Sequence, residues 1–237
     1  MPYQWLGVCW LQHLKLCGVN GLLADDMGLG KTLQTISHIS LEFSQTKELK
    51  PVLIVLPTSL LHNWKNEFTK FAPHLKVAIY HGPKRQQVIN DDYQIMLTSY
   101  QLVVNDADFF EQCDFSWLIL DEAQAIKNHR TKAHVALKRV HSDFKLCLSG
   151  TPVENNLLEL WSLLNFLMPN LLGTLSEFKF HFQKAIEQEG NQRKLDLLLK
   201  RIAPFMLRRT KQSVASDLPE KTEIIQTIDL ADEQAKL

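Results

Sequence analysis

The sequence has 237 residues, 45% of them apolar and 22% charged, the ordinary balance of a chain that folds around a core. Nine Gly and nine Pro exclude a collagen-like or linker-dominated chain, and no apolar run approaches the roughly 18 residues of a membrane-spanning helix. Lys plus Arg and Asp plus Glu each total 26, so no overall basicity points to a nucleic-acid partner.

In chain order, short apolar runs at 21–24, 52–56, 77–80, 95–98, 117–120 and 145–148 are almost free of polar residues. Strands buried on both faces of a parallel sheet have this character. Between them the apolar spacing is near 3.6, as in Leu33, Ile36, Ile39, Leu41 and Phe43, and again in Leu60, Leu61, Trp64, Phe68 and Phe71, which is helical. Strands alternating with helices predict a layered α/β core, with ligands beyond the carboxyl ends of the strands. This core is expected to occupy 1–152. After Pro152 helices are expected at 157–168, 176–189 and 191–202, forming a helical elaboration of the same domain over 153–212. The stripe Leu157, Leu160, Trp161, Leu164 and Leu167 needs nothing but core packing to explain it. A short strand is expected at 222–228 within the tail 213–237. That tail stops without a capping signal, so a longer chain is the expectation.

Cys9, Cys17, Cys113 and Cys147 are far apart and form no C-x-x-C pair, and the nine His form no H-E-x-x-H. Buried thiols in a reducing compartment are expected, without zinc. Met1 is followed by neither a basic nor an apolar leader, so this stretch carries no sign of secretion or a membrane. An intracellular place is expected, cytoplasmic or, in a eukaryotic cell, nuclear. Charge is unevenly spread. Arg193, Lys194, Lys200, Arg201, Arg208, Arg209 and Lys211 face Asp196 alone, and six basic residues between Lys127 and Lys145 face Asp143. Solvated helix faces account for either cluster taken alone.

The strongest local signal is Asp25-Asp26-Met27-Gly28-Leu29-Gly30-Lys31-Thr32, directly after an apolar run and opening a helical pattern. A nucleotide's phosphates need several donors converging on a small anionic volume. A glycine-rich turn leaves its N–H groups free to point inward, and the helix that follows adds its positive end. Lys31 would reach the β- and γ-phosphates and the Thr32 hydroxyl would bind Mg²⁺. The general pattern begins with Gly, where this chain has Asp25. Trp117-Leu118-Ile119-Leu120-Asp121-Glu122 is an apolar strand ending in two acids. Asp121 can supply the carboxylate that Mg²⁺ needs, and Glu122 can take a proton from an attacking water. Adjacent acids are common in loops. Behind a phosphate turn in an α/β chain they point to a nucleoside triphosphatase.

Residues 25–35 resemble the phosphate motif of the Swi/Snf-type helicase-like ATPases, a branch of superfamily-two helicases in which Asp at the first place is usual. Asp121-Glu122-Ala123-Gln124-Ala125-Ile126-Lys127-Asn128 is similar to the second motif of that family, and residues 148–156, from Leu148-Ser149-Gly150-Thr151 on, to the third. Leu56 to Trp64 and Thr98-Ser99-Tyr100 are similar to its DNA-facing motifs, and residues 204–211 with 217–223 to the segment that closes its first motor lobe. The matches run in family order over nearly the whole chain.

The resemblance implies a RecA-like P-loop NTPase lobe with a mostly parallel sheet flanked by helices, using ATP and Mg²⁺ and gripping double-stranded DNA. Gln4 would contact adenine; Asp26, Met27, Gly28, Leu29, Gly30, Lys31 and Thr32 would hold the phosphates; Thr32 and Asp121 would hold the metal. Gln124, Ser149 and Thr151 would couple hydrolysis to DNA. Thr58, Ser59, Asn63, Thr98, Lys127 and Asn128 would touch the phosphate backbone, since hydroxyls and amides position a duplex without reading it. Two departures stand out. Gln124 occupies a place where many relatives have His, and the chain ends before the family's second RecA-like lobe. That lobe would be a partner within a longer protein, and it would contribute the arginines that are worth about 10³–10⁵ in rate in related systems. DNA-bound proteins are a further partner class that the resemblance leaves open. A strand-separating helicase, a restriction-type motor and a non-hydrolysing interaction module stay as alternatives.

Overall fold

The computed structural model describes residues 1–46, 49–90, 92–150 and 157–214. Its strands are β1 (Gly21–Leu23), β2 (Val52–Leu56), β3 (Val77–Ile79), β4 (Ile95–Ser99), β5 (Asp114–Leu120), β6 (His141–Leu148) and β7 (Met206–Leu207). They form one seven-stranded sheet in the order β3-β4-β2-β5-β6-β1-β7, and each neighbouring pair is parallel. The helices are α1 (Pro2–Leu16), α2 (Lys31–Gln45), α3 (Leu61–Phe71), α4 (Tyr100–Asn105), α5 (Ala107–Glu111), α6 (Lys132–Arg139), α7 (Leu157–Leu167), α8 (Leu175–Phe178), α9 (Gln192–Ile202) and α10 (Lys211–Val214). The chain continues from α8 with the wider turns of a π-helix over Lys179–Gln188.

The unbroken apolar runs have the reason expected of them: successive side chains of a strand enter opposite cores. From β2, Ile54 and Leu56 pack with Leu11 of α1, Ile36 and Ile39 of α2, and Trp64 and Phe68 of α3. Leu53 and Val55 face the other way, into a core shared with Val103 of α4, Phe110 of α5, Leu137 of α6 and Leu164 of α7. Phe178, Phe182, Leu198 and Ile202 belong to that second core, so the helices after 156 share apolar contacts with the sheet.

Four elements depart from the expected pattern. β5 and β6 begin three and four residues earlier than their apolar runs, because Asp114 and Phe115 pair with His141 and Ser142 at the partly exposed foot of the sheet. Helix α1 has no clear apolar stripe: Val8, Leu11 and Leu14 are buried while Trp5 and Leu6 remain exposed. The two-residue β7 returns the chain to the sheet beside β1. The strand expected at 222–228 and nearly all of the tail 213–237 lie outside the described residues. Among the described residues no helix is long and apolar enough to cross a membrane.

His38 of α2 shows how completely this core excludes water. Its Nδ1 lies 2.9 Å from Gln12 Nε2, and its ring meets Trp117 edge-on with centroids 4.7 Å apart. Burial, helped by the charge of Lys15, pushes its pKa down to about 3. The folded state therefore keeps the imidazole neutral, while the unfolded chain takes up a proton below the ordinary value of 6.5. Stability should then fall as pH drops from 6.5 toward 3, by up to about 1.4 kcal/mol per pH unit. A His38→Gln variant is expected to flatten that limb of a plot of melting temperature against pH; an unchanged slope contradicts this assignment.

Candidate functional site

Parallel register brings the separated motifs together. Strand β6 lies between β5 and β1, with Leu23 level with Leu148 and Leu120 level with Cys147. Asp25, Asp121 and Ser149 all follow within two residues of these strand ends. Neighbouring strands are about 4.8 Å apart, so the ends of β1 and β5 are separated by roughly 10 Å.

The turn after β1 is built on two glycines with left-handed backbone, Gly28 at φ 86° and Gly30 at φ 78°, a conformation that costs glycine little. Gly30 also marks the start of α2. A Cβ there would lie 2.4 Å from Gln4 Nε2, which donates to the Leu29 carbonyl at 3.3 Å, so Gln4 is packed against the turn. The Lys31 ammonium donates to the carbonyls of Asp25 at 2.7 Å and Asp26 at 3.4 Å. Burial lowers its pKa, and the carboxylates of Glu122, Asp121, Asp25 and Asp26 oppose that shift. Met27 is exposed, Leu29 is buried, and the Asp26 carboxylate accepts from the Lys211 N–H at 3.0 Å. The end of β6 closes in from the side: a Cβ on Gly150 would lie 2.8 Å from Met27 Cγ.

Across the gap, Asp121 is 7% exposed. Its Oδ2 accepts from the Trp64 indole N–H at 2.7 Å and its Oδ1 from the Glu122 N–H at 3.0 Å. The Tyr100 hydroxyl donates to the Asp121 carbonyl at 2.7 Å. Burial raises the carboxyl's pKa, and the Trp64 bond opposes the rise. Glu122 is one of two non-glycine residues with positive φ among the described residues, at φ 50° and ψ 53°. Such strain costs on the order of 1–3 kcal/mol and clusters at functional sites. Here it turns the chain sharply so that the carboxylate meets Gln124 Nε2, which donates to it at 2.7 Å. Ser149 Oγ donates in turn to Gln124 Oε1 at 3.4 Å. Gln124 thus links the tips of β5 and β6.

Gly28, Lys31, Thr32, Trp64, Asp121 and Glu122 line one open cleft of about 310 Å³. The expected phosphate and metal residues are therefore neighbours. Those expected to face DNA are scattered. Thr58 and Ser59 are exposed in the turn before α3. Asn63 is exposed as well but lines the cleft with Lys31 and Asp121. Lys127 pairs with Glu159 at 3.3 Å, and Asn128 is exposed beside it, its side chain accepting from the Arg130 N–H at 3.0 Å. Thr98 differs from the expectation: it is fully buried, and its hydroxyl donates to the Tyr80 carbonyl at 3.1 Å, so in this structure it presents nothing to a duplex. Thr151 lies outside the described residues. Trp64 and Tyr100 lie in the stretches similar to DNA-facing motifs and Arg209 in the one similar to the lobe-closing segment, yet the sequence alone points to no role at the cleft for Trp64, Tyr100 or Arg209. The signal for the last was the Asp at position 25 where Gly is general.

A glycine-rich turn facing strand-tip acids along one edge of a parallel sheet is the arrangement of a RecA-like lobe, and solved structures agree. The chain matches the Sulfolobus solfataricus SWI2/SNF2 ATPase core in complex with double-stranded DNA with a TM-score of 0.84 at 42% identity, over 99% of this chain and 50% of that one. It matches the core domain alone with a TM-score of 0.77 at 40% identity, over 99% and 48%. The chain belongs to the family of the SNF2-related domain, which matches residues 3–237. Among curated proteins it is similar to an uncharacterised ATP-dependent helicase of Mycoplasma genitalium, 42% identical over 238 residues. It is also similar to the chromatin-remodelling ATPase INO80 of Saccharomyces cerevisiae, 40% identical over 255 residues. These matches cover 99% of this chain but only 23% and 17% of the two relatives.

The Trp64–Asp121 bond can be measured on its own. A hydrogen bond to a charged group is worth about 1.5–3 kcal/mol. In urea unfolding, a cycle of Trp64→Phe, Asp121→Ala and the double variant is expected to show coupling of about that size; strictly additive losses contradict the bond.

Proposed function

We propose that this chain is the first motor lobe of an ATP-driven translocase on double-stranded DNA. The observation that carries the reading is the cleft in which the glycine turn, Lys31 and Thr32 meet Asp121 and Glu122. Family membership and the relatives named above support it.

The donor set suits Mg²⁺. That ion prefers hard oxygens and takes one or two from protein, the rest from phosphates and water. Thr32 and Asp121 offer a hydroxyl and a carboxylate in one cleft. Two N–H donors already fix the orientation of the carboxylate, and about four lone-pair sites on an ionised carboxylate leave room for a metal. When bound, Mg²⁺ supplies charge neutralisation along the phosphates. The turn's N–H groups and the α2 N-terminus bind the polyphosphate. Lys31 exchanges its carbonyl partners for phosphate oxygen, and Gln4, beside the turn, contacts adenine. Glu122 orients the attacking water and accepts its proton. Gln124, with Ser149 and Thr151, carries the state of that carboxylate toward the DNA-facing side.

The exposed Thr58 and Ser59, together with Lys127 and Asn128, hold phosphate backbone in this reading. Asn128 and Lys127 line a surface cavity with Arg130, Lys179 and Glu159; Glu159 pairs with Lys127, and the cations still outnumber it, a balance suited to a duplex. Asn63 acts at the cleft edge, and Thr98 keeps only its role in the sheet. Closure against a second RecA-like lobe completes the γ-phosphate site, so the 237 residues alone turn over ATP very slowly.

In the whole protein, Glu122→Gln is expected to lower DNA-stimulated ATP turnover by roughly 10²–10⁴ while nucleotide still binds, and Lys31→Ala is expected to weaken binding itself. Turnover equal to wild type in both variants, or turnover indifferent to duplex DNA, overturns the proposal.

A further inference from the structure

Asp25 occupies the first place of the phosphate turn, yet it is fully buried, and both of its side-chain oxygens are committed to the far end of the lobe. Its Oδ1 accepts from the Arg209 backbone N–H at 3.1 Å and from Arg209 Nε at 2.9 Å. Its Oδ2 accepts from Arg209 Nη2 and from Gln34 Nε2, the latter at 3.3 Å. The guanidinium is itself boxed in. Nη2 also donates to Gln34 Oε1 at 2.7 Å and Nη1 to the Tyr3 carbonyl, and the group lies 5.4 Å from the Tyr3 ring centroid. Helix α1 seals the network with a glycine: a Cβ on Gly7 would fall 1.8 Å from Gln34 Oε1 and 2.9 Å from Arg209 Nη2.

The backbone repeats the connection. The Ala24 N–H donates to the Leu207 carbonyl at 2.7 Å and the Asp26 N–H to the Arg209 carbonyl at 2.9 Å. The side chain of Lys211 runs past Gly28, 3.6 Å from where a Cβ would stand. Residue for residue, the segment leaving the lobe is laced onto the phosphate turn. One further contact connects this lacing to chemistry. The main-chain carbonyl of the clamped Asp25 is the 2.7 Å partner of the Lys31 ammonium. Whatever sets the position of Asp25 therefore sets where Lys31 rests before phosphate arrives. A guanidinium fork meeting a carboxylate fixes direction as well as distance, which an ammonium cannot do, and removing one partner of a buried pair leaves the other uncompensated.

We propose that Arg209 is a positioning residue for nucleotide binding: acting through Asp25, it holds the phosphate turn in its binding shape and makes the turn and the chain leaving the lobe one mechanical unit. The proposal rests on the reading of the turn as a nucleotide site, so the test includes a variant that probes that reading separately.

A fluorescent ADP analogue is titrated into the whole protein as wild type, Arg209→Lys, Asp25→Asn, the double variant, Arg208→Ala and Lys31→Ala, below the melting temperature of each. Arg208 is exposed, so its variant tests whether loss of a cation one residue away is enough to weaken binding. Arg209→Lys and Asp25→Asn are each expected to weaken binding on the order of 5–150-fold, the usual size of coupling between sites. The double variant should be no worse than the weaker single one, and Arg208→Ala should stay within about twofold. Amides 26–30 should exchange hydrogen faster in nucleotide-free Arg209→Lys, a readout that a merely stabilising contact elsewhere would leave alone. Asp25→Asn keeps the side-chain size and serves where Arg209→Lys does not fold. Wild-type affinity with unchanged exchange in either folded variant, or strictly additive losses in the double variant, overturns the proposal. Wild-type affinity in Lys31→Ala overturns the nucleotide reading beneath it as well.

Discussion

The level ends of β5, β6 and β1 are the constraint on which the site depends. In a parallel sheet all the carboxyl ends emerge at one edge, so the register that pairs Leu23 with Leu148 and Leu120 with Cys147 puts a glycine turn and an acid pair on either side of one intervening strand. A one-residue slip would turn every side chain of a strand to the opposite core. With apolar residues on both faces of β2 and its neighbours, packing tolerates only the right alternation of sizes. The fixed span across β6 then follows from strand spacing alone.

Strain and buried charge gather where that edge is used. Glu122 has a left-handed backbone, Asp121 is a carboxylate almost out of water, and the ammonium of Lys31 is half-buried. None of these favours folding. They are maintained by groups rooted in the rigid layers: the Trp64 indole from α3, the Tyr100 hydroxyl from α4, and Arg209 from the segment after β7. Each support comes from a different element, so the acids and the glycine turn are held independently of any ligand. The chain from Ser149 through Gln124 to Glu122 adds a polar path between strand tips that an apolar edge would lack.

Much of this was legible in residue order. The runs at 52–56 and 95–98 and the helical spacing from Leu33 to Phe43 are local signals, and they appear as β2, β4 and α2. The glycine turn and Asp121-Glu122 carry their chemistry in their spacing, and the cleft unites them. What residue order does not carry is non-local. Asp25 makes sense only with Arg209, 184 residues away. Thr98 ends an apolar run and reads equally well as a surface hydroxyl, until β3 and Tyr80 cover it. The start of β6, His141-Ser142-Asp143, is polar because it lies at the sheet's foot, and no apolar-run rule finds it. Helix α1 exposes Trp5 and Leu6 while burying Val8 and Leu11, which erases its stripe.

The central claim is that the turn after β1 and the tip of β5 hold a metal and a polyphosphate jointly. The dependence of nucleotide affinity on Mg²⁺ concentration, compared between wild type and Asp121→Asn, tests it most directly. The account predicts that Mg²⁺ tightens binding in wild type and that this gain disappears in Asp121→Asn while metal-free affinity persists. An identical Mg²⁺ dependence in both proteins would contradict it.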